Sequence, residues 1–147
     1  MYQSTKLFEN YSVAIRQHKA AHSHCQLLHG YALKFHVTFE ADSLDSMNWV
    51  VDFGCFGHNG LKDWLNQMFD HTTLIEMDDP HKDIFEQLEQ MKILRVHFLE
   101  KMGAESLAKL VFDKFNEVLS KNDAGRSRCV RVECMENEKN SAIYFEK

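Results

Sequence analysis

Apolar and polar positions alternate most clearly between Tyr31 and Glu40. Tyr31, Leu33, Phe35, Val37 and Phe39 fall on one side, and Lys34, His36, Thr38 and Glu40 on the other. A period of two marks a half-buried strand, and Ala41-Asp42-Ser43 closes it with turn chemistry. Tyr11, Val13 and Ile15 alternate with Ser12 and Ala14, predicting an earlier strand over 11–15. The period then changes. Leu61, Trp64, Leu65 and Met68 lie on one helical stripe, and Leu107, Leu110, Val111, Phe115, Val118 and Leu119 form a longer one. Asn122-Asp123-Ala124-Gly125 stops the second helix. Between them, Pro80 marks a turn, residues 82–91 are polar and helix-prone, and Ile93 to Leu99 reads as a short strand. At the end, Val130, Val132, Cys134 and Glu136 share a face, and Ser141, Ile143 and Phe145 alternate with Ala142 and Tyr144. The order strand-strand-helix-helix-strand-strand predicts an α+β domain, with antiparallel hairpins at each end and helices on one face.

Composition narrows the class. A chain of 147 residues, 44% hydrophobic and 27% charged, fits one globular domain over 1–147. No run approaches eighteen apolar residues, so no segment reads as spanning a membrane. The start, MYQSTKLFENYS, has no basic region leading into an apolar one. Cys25, Cys55, Cys129 and Cys134 show neither a Cys-x-x-Cys pair nor a disulfide framework, so free thiols in a reducing cytoplasm are expected. A net charge of −5 argues against a nucleic-acid surface. Histidine is the outlier, with nine in all and four within residues 18–29.

Those four stand in HKAAHSHCQLLHGYAL as His18, His22, His24 and His29, beside Cys25. If the segment is extended, His22 and His24 share a face and a hairpin brings His29 across from them. Three imidazoles with one open position make a catalytic zinc site; scattered on a strand edge they are merely solvated. Cys25 reads either as a small buried hydrophobe or as a proton-transferring thiol. Asp70-His71 offers a second proton-transfer pair, or a histidine complementing a helix C-terminus. Glu136, in line with an apolar face, lies at a frayed strand end or is held for a guanidine-like ligand edge.

In order along the chain stand Ala20-Ala21-His22, Cys25-Gln26-Leu27-Leu28-His29-Gly30, Trp49-Val50-Val51-Asp52-Phe53, Asp70-His71, Glu105-Ser106-Leu107-Ala108, and Glu136 eight residues before Tyr144. Together these resemble the 6-pyruvoyl- and 6-carboxytetrahydropterin synthases over nearly the whole chain. The resemblance implies a tunnelling fold: a four-stranded antiparallel sheet with two helices on one face, assembling as a homo-oligomer into a β-barrel trimer or stacked hexamer. Active sites would lie between subunits. It implies a cytoplasmic, zinc-dependent lyase acting on 7,8-dihydroneopterin triphosphate, with the metal held by three histidines. Carried over, His22, His24 and His29 bind zinc, with His18 as the alternative to His22. Cys25 transfers protons, Asp70 and His71 complete the relay, and Glu136 anchors the pterin with help from Glu105.

Two departures bear on this. The family's His-Gly-His stands here as His29-Gly30-Tyr31, and its Pro-Thr before the helical glutamate is replaced by Met102-Gly103-Ala104. The expected reaction is formation of 6-carboxy-5,6,7,8-tetrahydropterin, a step toward queuosine and other deazaguanines. The alternatives are triphosphate elimination to the 6-pyruvoyl product, or a pterin- or purine-binding protein that has lost zinc chemistry.

Overall fold

The computed structural model describes residues 1–147. Strands β1 (Tyr2–Arg16) and β2 (His29–Ala41) form a long antiparallel hairpin. Helix α1 (Leu61–Phe69) leads into β3 (Thr72–Glu76), and α2 (Lys82–Gln90) into β4 (Val96–Leu99). The long helix α3 (Ala104–Asn122) precedes the closing hairpin β5 (Ser127–Met135) and β6 (Ser141–Phe145).

The fold is α+β, but the sheet departs from the expectation of four antiparallel strands. It has six, in the order β4-β3-β1-β2-β5-β6, and β3 runs parallel to both β1 and β4. The extra strands come from the region between the helices. All five residues of β3 are buried, because both of its faces are covered. Leu74 joins the main core, whereas its neighbour Ile75 packs with Phe85 of α2 and Val96 of β4. Successive strand residues point to opposite faces, so α2 lies on the far side of the sheet from α1 and α3. Helices therefore do not occupy one face alone.

The main core places the stripe Leu33, Phe35, Val37 and Phe39 of β2 under Leu107, Val111 and Phe115 of α3 and Leu61, Leu65 and Phe69 of α1. Phe39, Phe56 and Phe115 meet with ring centroids 5.2–6.0 Å apart. β1 carries a bulge between Phe8 and Tyr11, where Asn10 takes φ 74°. The bulge lets residues three apart both reach the core and adds twist to the sheet. α3 ends as its stop signal predicts, with Ala124 and Gly125 in the left-handed region.

Candidate active site

The buried stripe of β2 does not stop at Leu33. His29 and Tyr31 continue the same face toward the open end of the sheet, half-buried, with ring centroids 5.0 Å apart and planes at 89°. β5 runs beside them: Phe35 opposes Cys134, and Lys34 opposes Met135, so Glu136 follows where the core face opens. The N-terminus of α3 closes a third side with Glu105. On the fourth, Gln17 leaves β1, its backbone N–H donating to the Cys25 carbonyl at 2.9 Å and its side-chain amide donating to the Met102 carbonyl at 3.4 Å. Gly103 makes this closure possible. Its φ is +122°, and a Cβ there would lie 3.3 Å from Glu105 Oε2 and 3.5 Å from Gln17 Nε2.

These groups act on one another. Loss of water pushes the Glu136 carboxyl above its ordinary range and the Glu105 charge adds to this, while His29 and Tyr31 pull it back. Burial raises the Tyr31 phenol, and charges at Glu136 and Cys25 raise it further. Burial, helped by Glu136 and Glu105, pushes the Cys134 thiol up to about 12. The pocket thus holds a protonated phenol beside a carboxyl that resists ionisation, with a half-exposed thiol at its rim. An open cleft of about 470 Å³ adjoins it, lined by Tyr31, Lys34, Met135 and Glu136 among others. A larger cavity of about 1030 Å³ lies between α3 and β5, and none of the candidate residues lines it. Its size does not make it the site; two of the interacting groups, Tyr31 and Glu136, line the smaller cleft.

Of the residues singled out in the sequence, Cys25, His29, Glu105 and Glu136 come together here. His22 and His24 do not take strand positions. Both are exposed on the connection between β1 and β2, where Ser23 caps a short 3-10 helix, His24–Gln26. Zinc donors bind about 2 Å from the ion, which keeps them within roughly 4 Å of each other. The one set of three such donors lying mutually within 4.8 Å is His18, Glu76 and Asp78, not His22, His24 and His29. The side chains that reach this end of the core face are Gln17, His29 and Tyr31: an amide, one imidazole and a phenol. That set does not fit a three-histidine zinc.

Asp70 and His71 lie across β1 from Tyr31. Val13 pairs with Tyr31 on one side and with Thr72 on the other. His71 takes φ 55°, donates its N–H to the Ser12 carbonyl at 2.7 Å, and sets Nδ1 3.0 Å from Asp70 Oδ1. Its ring is largely exposed. Asp70 also accepts from the Ser12 N–H at 3.3 Å, and it adds to the burial that pushes the Tyr11 phenol up to about 12. Gln17 went unseen in the sequence because an amide carries no chemical flag; its place directly after the β1 alternation was the available signal.

Fold and cleft together define an α+β protein with a candidate small-ligand cleft at the open end of a mixed sheet. The chain belongs to the 6-pyruvoyl tetrahydropterin synthase family, whose model matches residues 5–147. It is 32% identical over 75 residues to a 6-carboxy-5,6,7,8-tetrahydropterin synthase of Rickettsia typhi, covering 51% of this chain and 52% of that protein. A protein of the same name from Rickettsia felis is 28% identical over 76 residues, covering 52% and 53%. The match thus spans about half the length of these curated relatives. Among solved structures, an uncharacterised protein of Wolinella succinogenes superposes with a TM-score of 0.80 at 18% identity, covering 99% of this chain and 98% of that one. The 6-pyruvoyl tetrahydropterin synthase of Caenorhabditis elegans gives 0.66 at 17% identity, covering 99% and 96%. At these identities the structures speak for the fold alone. No helix is long and apolar enough to cross a membrane.

Proposed function

We propose that this protein is a lyase that acts on 7,8-dihydroneopterin triphosphate and forms 6-carboxy-5,6,7,8-tetrahydropterin, on the route to queuosine and related deazaguanines. The observation that carries the reading is Glu136, held half-buried beside Glu105, His29 and Tyr31 at the mouth of the cleft. A carboxylate there pairs with the two N–H groups of an aminopyrimidinone edge, and binding such a ligand offsets the cost of ionising it in that place. Tyr31, kept protonated, orients the carboxyl. Cys25 supplies the thiol for proton transfer at the rim. Asp70 and His71, separated from Cys25 by β1 within one chain, join the relay from a neighbouring copy in a trimer or hexamer.

A second reading, pterin binding without turnover, is favoured by Gln17 and Tyr31 standing with His29 where a zinc triad would converge. The two separate when binding and turnover are measured independently. Dihydroneopterin triphosphate is titrated by fluorescence, and products are followed by mass spectrometry, for wild type and Cys25→Ala. Turnover lost in the variant with binding retained supports the enzyme. Binding without turnover in both supports the second reading. A pyruvoyl rather than carboxy product moves the assignment to triphosphate elimination, and failure to bind any pterin sinks all three.

A further inference from the structure

Away from the cleft, where parallel strands β1 and β3 end side by side, the chain gathers an unusual set of groups. Arg16 pairs with Ile75 in the ladder, so His18 and Lys19 emerge beside Glu76, Asp78 and Asp79. His18 Nδ1 lies 3.4 Å from Glu76 Oε2, and its Nε2 lies 3.7 Å from Asp78 Oδ1. Asp79 has a side chain shut off from solvent and sits 3.9 Å from His18 Nδ1 through Oδ2. Its other oxygen is used, accepting the His81 N–H at 2.8 Å.

The set is more than a collection of acids. Asp79 Oδ2 and His18 Nδ1 are both buried and make no hydrogen bond; Asp79 Oδ2 faces Arg16 Nε across 3.4 Å as an ion pair only, which leaves His18 Nδ1 the atom with no hydrogen-bonded or guanidinium partner. Buried polar atoms left unsatisfied cost free energy and call for an account, an unplaced ion among the usual ones. Donors arranged tetrahedrally about 2.1 Å from a small dication lie roughly 3.4 Å apart, which matches the His18–Glu76 separation. An imidazole with carboxylates suits first-row transition ions, whereas magnesium and calcium take oxygen alone.

We propose that His18, through a single ring nitrogen, together with Glu76 and Asp78 binds one divalent transition ion of the zinc class, with the buried Asp79 carboxylate as the further donor. Lys19 Nζ, 2.7 Å from Asp78 and 3.8 Å from Glu76, occupies the acid edge in the ion-free chain and swings out on binding. Its side chain is two-thirds exposed, so little opposes that movement. Three carboxylates against Arg16 and Lys19 leave one negative charge in excess when His18 is neutral, the sign a dication needs.

The test uses untagged, metal-stripped protein titrated with zinc chloride, with cobalt(II) absorption as an independent reading of the donor set. We expect about one ion per chain and a raised Tm in wild type. That binding is lost in His18→Gln and Asp78→Asn, and retained when both His24 and His29 become Ala. Lys19→Ala, which removes the competing charge, tightens binding several-fold. Circular dichroism of the ion-free variants checks that they fold; Asp78 is exposed, so Asp78→Asn remains informative if His18→Gln does not fold. Absence of binding in wild type overturns the site. So does an ion that survives Asp78→Asn but disappears with His24 and His29.

Discussion

The Asn116 side chain bonds both backbone groups of Cys129. Its Nδ2 donates to the Cys129 carbonyl at 2.9 Å, and its Oδ1 accepts the Cys129 N–H at 2.9 Å. The contact stands at an irregular point of the sheet. β5 carries one extra residue between Cys129, opposite Phe39, and Arg131, opposite Thr38, and β6 ends at Phe145 opposite Arg131. A helix side chain there acts as a strand would, and fixes α3 to the sheet.

Asn116→Ala leaves that donor and acceptor without partners in a half-buried setting. Each such loss costs about 1–3 kcal/mol, so the variant should lose about 2–6 kcal/mol in urea unfolding with little change in m. Asn116→Asp, which keeps one acceptor, should fall between. A variant as stable as wild type would show that the bond is replaced by water.

The carboxyl of Glu136 has its pKa raised by lost hydration and by Glu105. A folded-state pKa above the unfolded one means that the native protein holds its proton more tightly. The resulting stabilisation is complete below the unfolded pKa, and is lost as pH rises through the folded one. Wild type compared with Glu136→Gln should therefore lose Tm progressively as pH climbs above the ordinary glutamate range, and the variant should not. Parallel curves for the two proteins would place the group in water.

Burial pushes the Cys129 and Cys134 thiols up to about 12, whereas Cys25 and Cys55 are only half-buried and Cys55 is itself raised by burial. Thiolate is the reactive form. Iodoacetamide at neutral pH should label Cys25 first and Cys55 next, leaving the two strand cysteines until the protein unfolds. Peptide mapping by mass spectrometry reads the order directly.

Gly103→Ala places a methyl group 3.3 Å from Glu105 Oε2 at a φ of +122°. Backbone strain of this kind costs about 1–3 kcal/mol, and Glu105 and Gln17 must give way. Pterin affinity should fall more than ten-fold while the far-UV spectrum stays native. Unchanged affinity would detach Gln17 and Glu105 from the site.

How much of this was legible in the sequence follows from where water reaches the strands. β2 and the β5–β6 hairpin read cleanly, because one face is covered and the other is not. β3 did not: Thr72 to Glu76 are buried on both faces, and a strand without alternation looks like any short apolar run. Only the second half of β1 was visible, since the bulge at Asn10 breaks its period and most of Tyr2 to Leu7 is exposed. At the cleft, Cys25, His29, Glu105 and Glu136 carried chemistry that a reader can search for, and Gln17 did not. The closeness of His22 and His24 in sequence suggested convergence; a short 3-10 turn sends them to the surface. His18 stands only four residues before His22, yet it turns instead to the far end of β3.

Three successive residues leaving β1 are tied to two separate places: Arg16 and His18 to the acidic cluster of Asp79 and Glu76, and Gln17 between them to Met102. No flexible stretch separates them. A ligand that tightens the grip on Gln17 therefore narrows what Arg16 and His18 can do, and the reverse holds with the same free energy. Reciprocity of that kind needs no wire through the core. It follows from a backbone too short to let one residue move without the next.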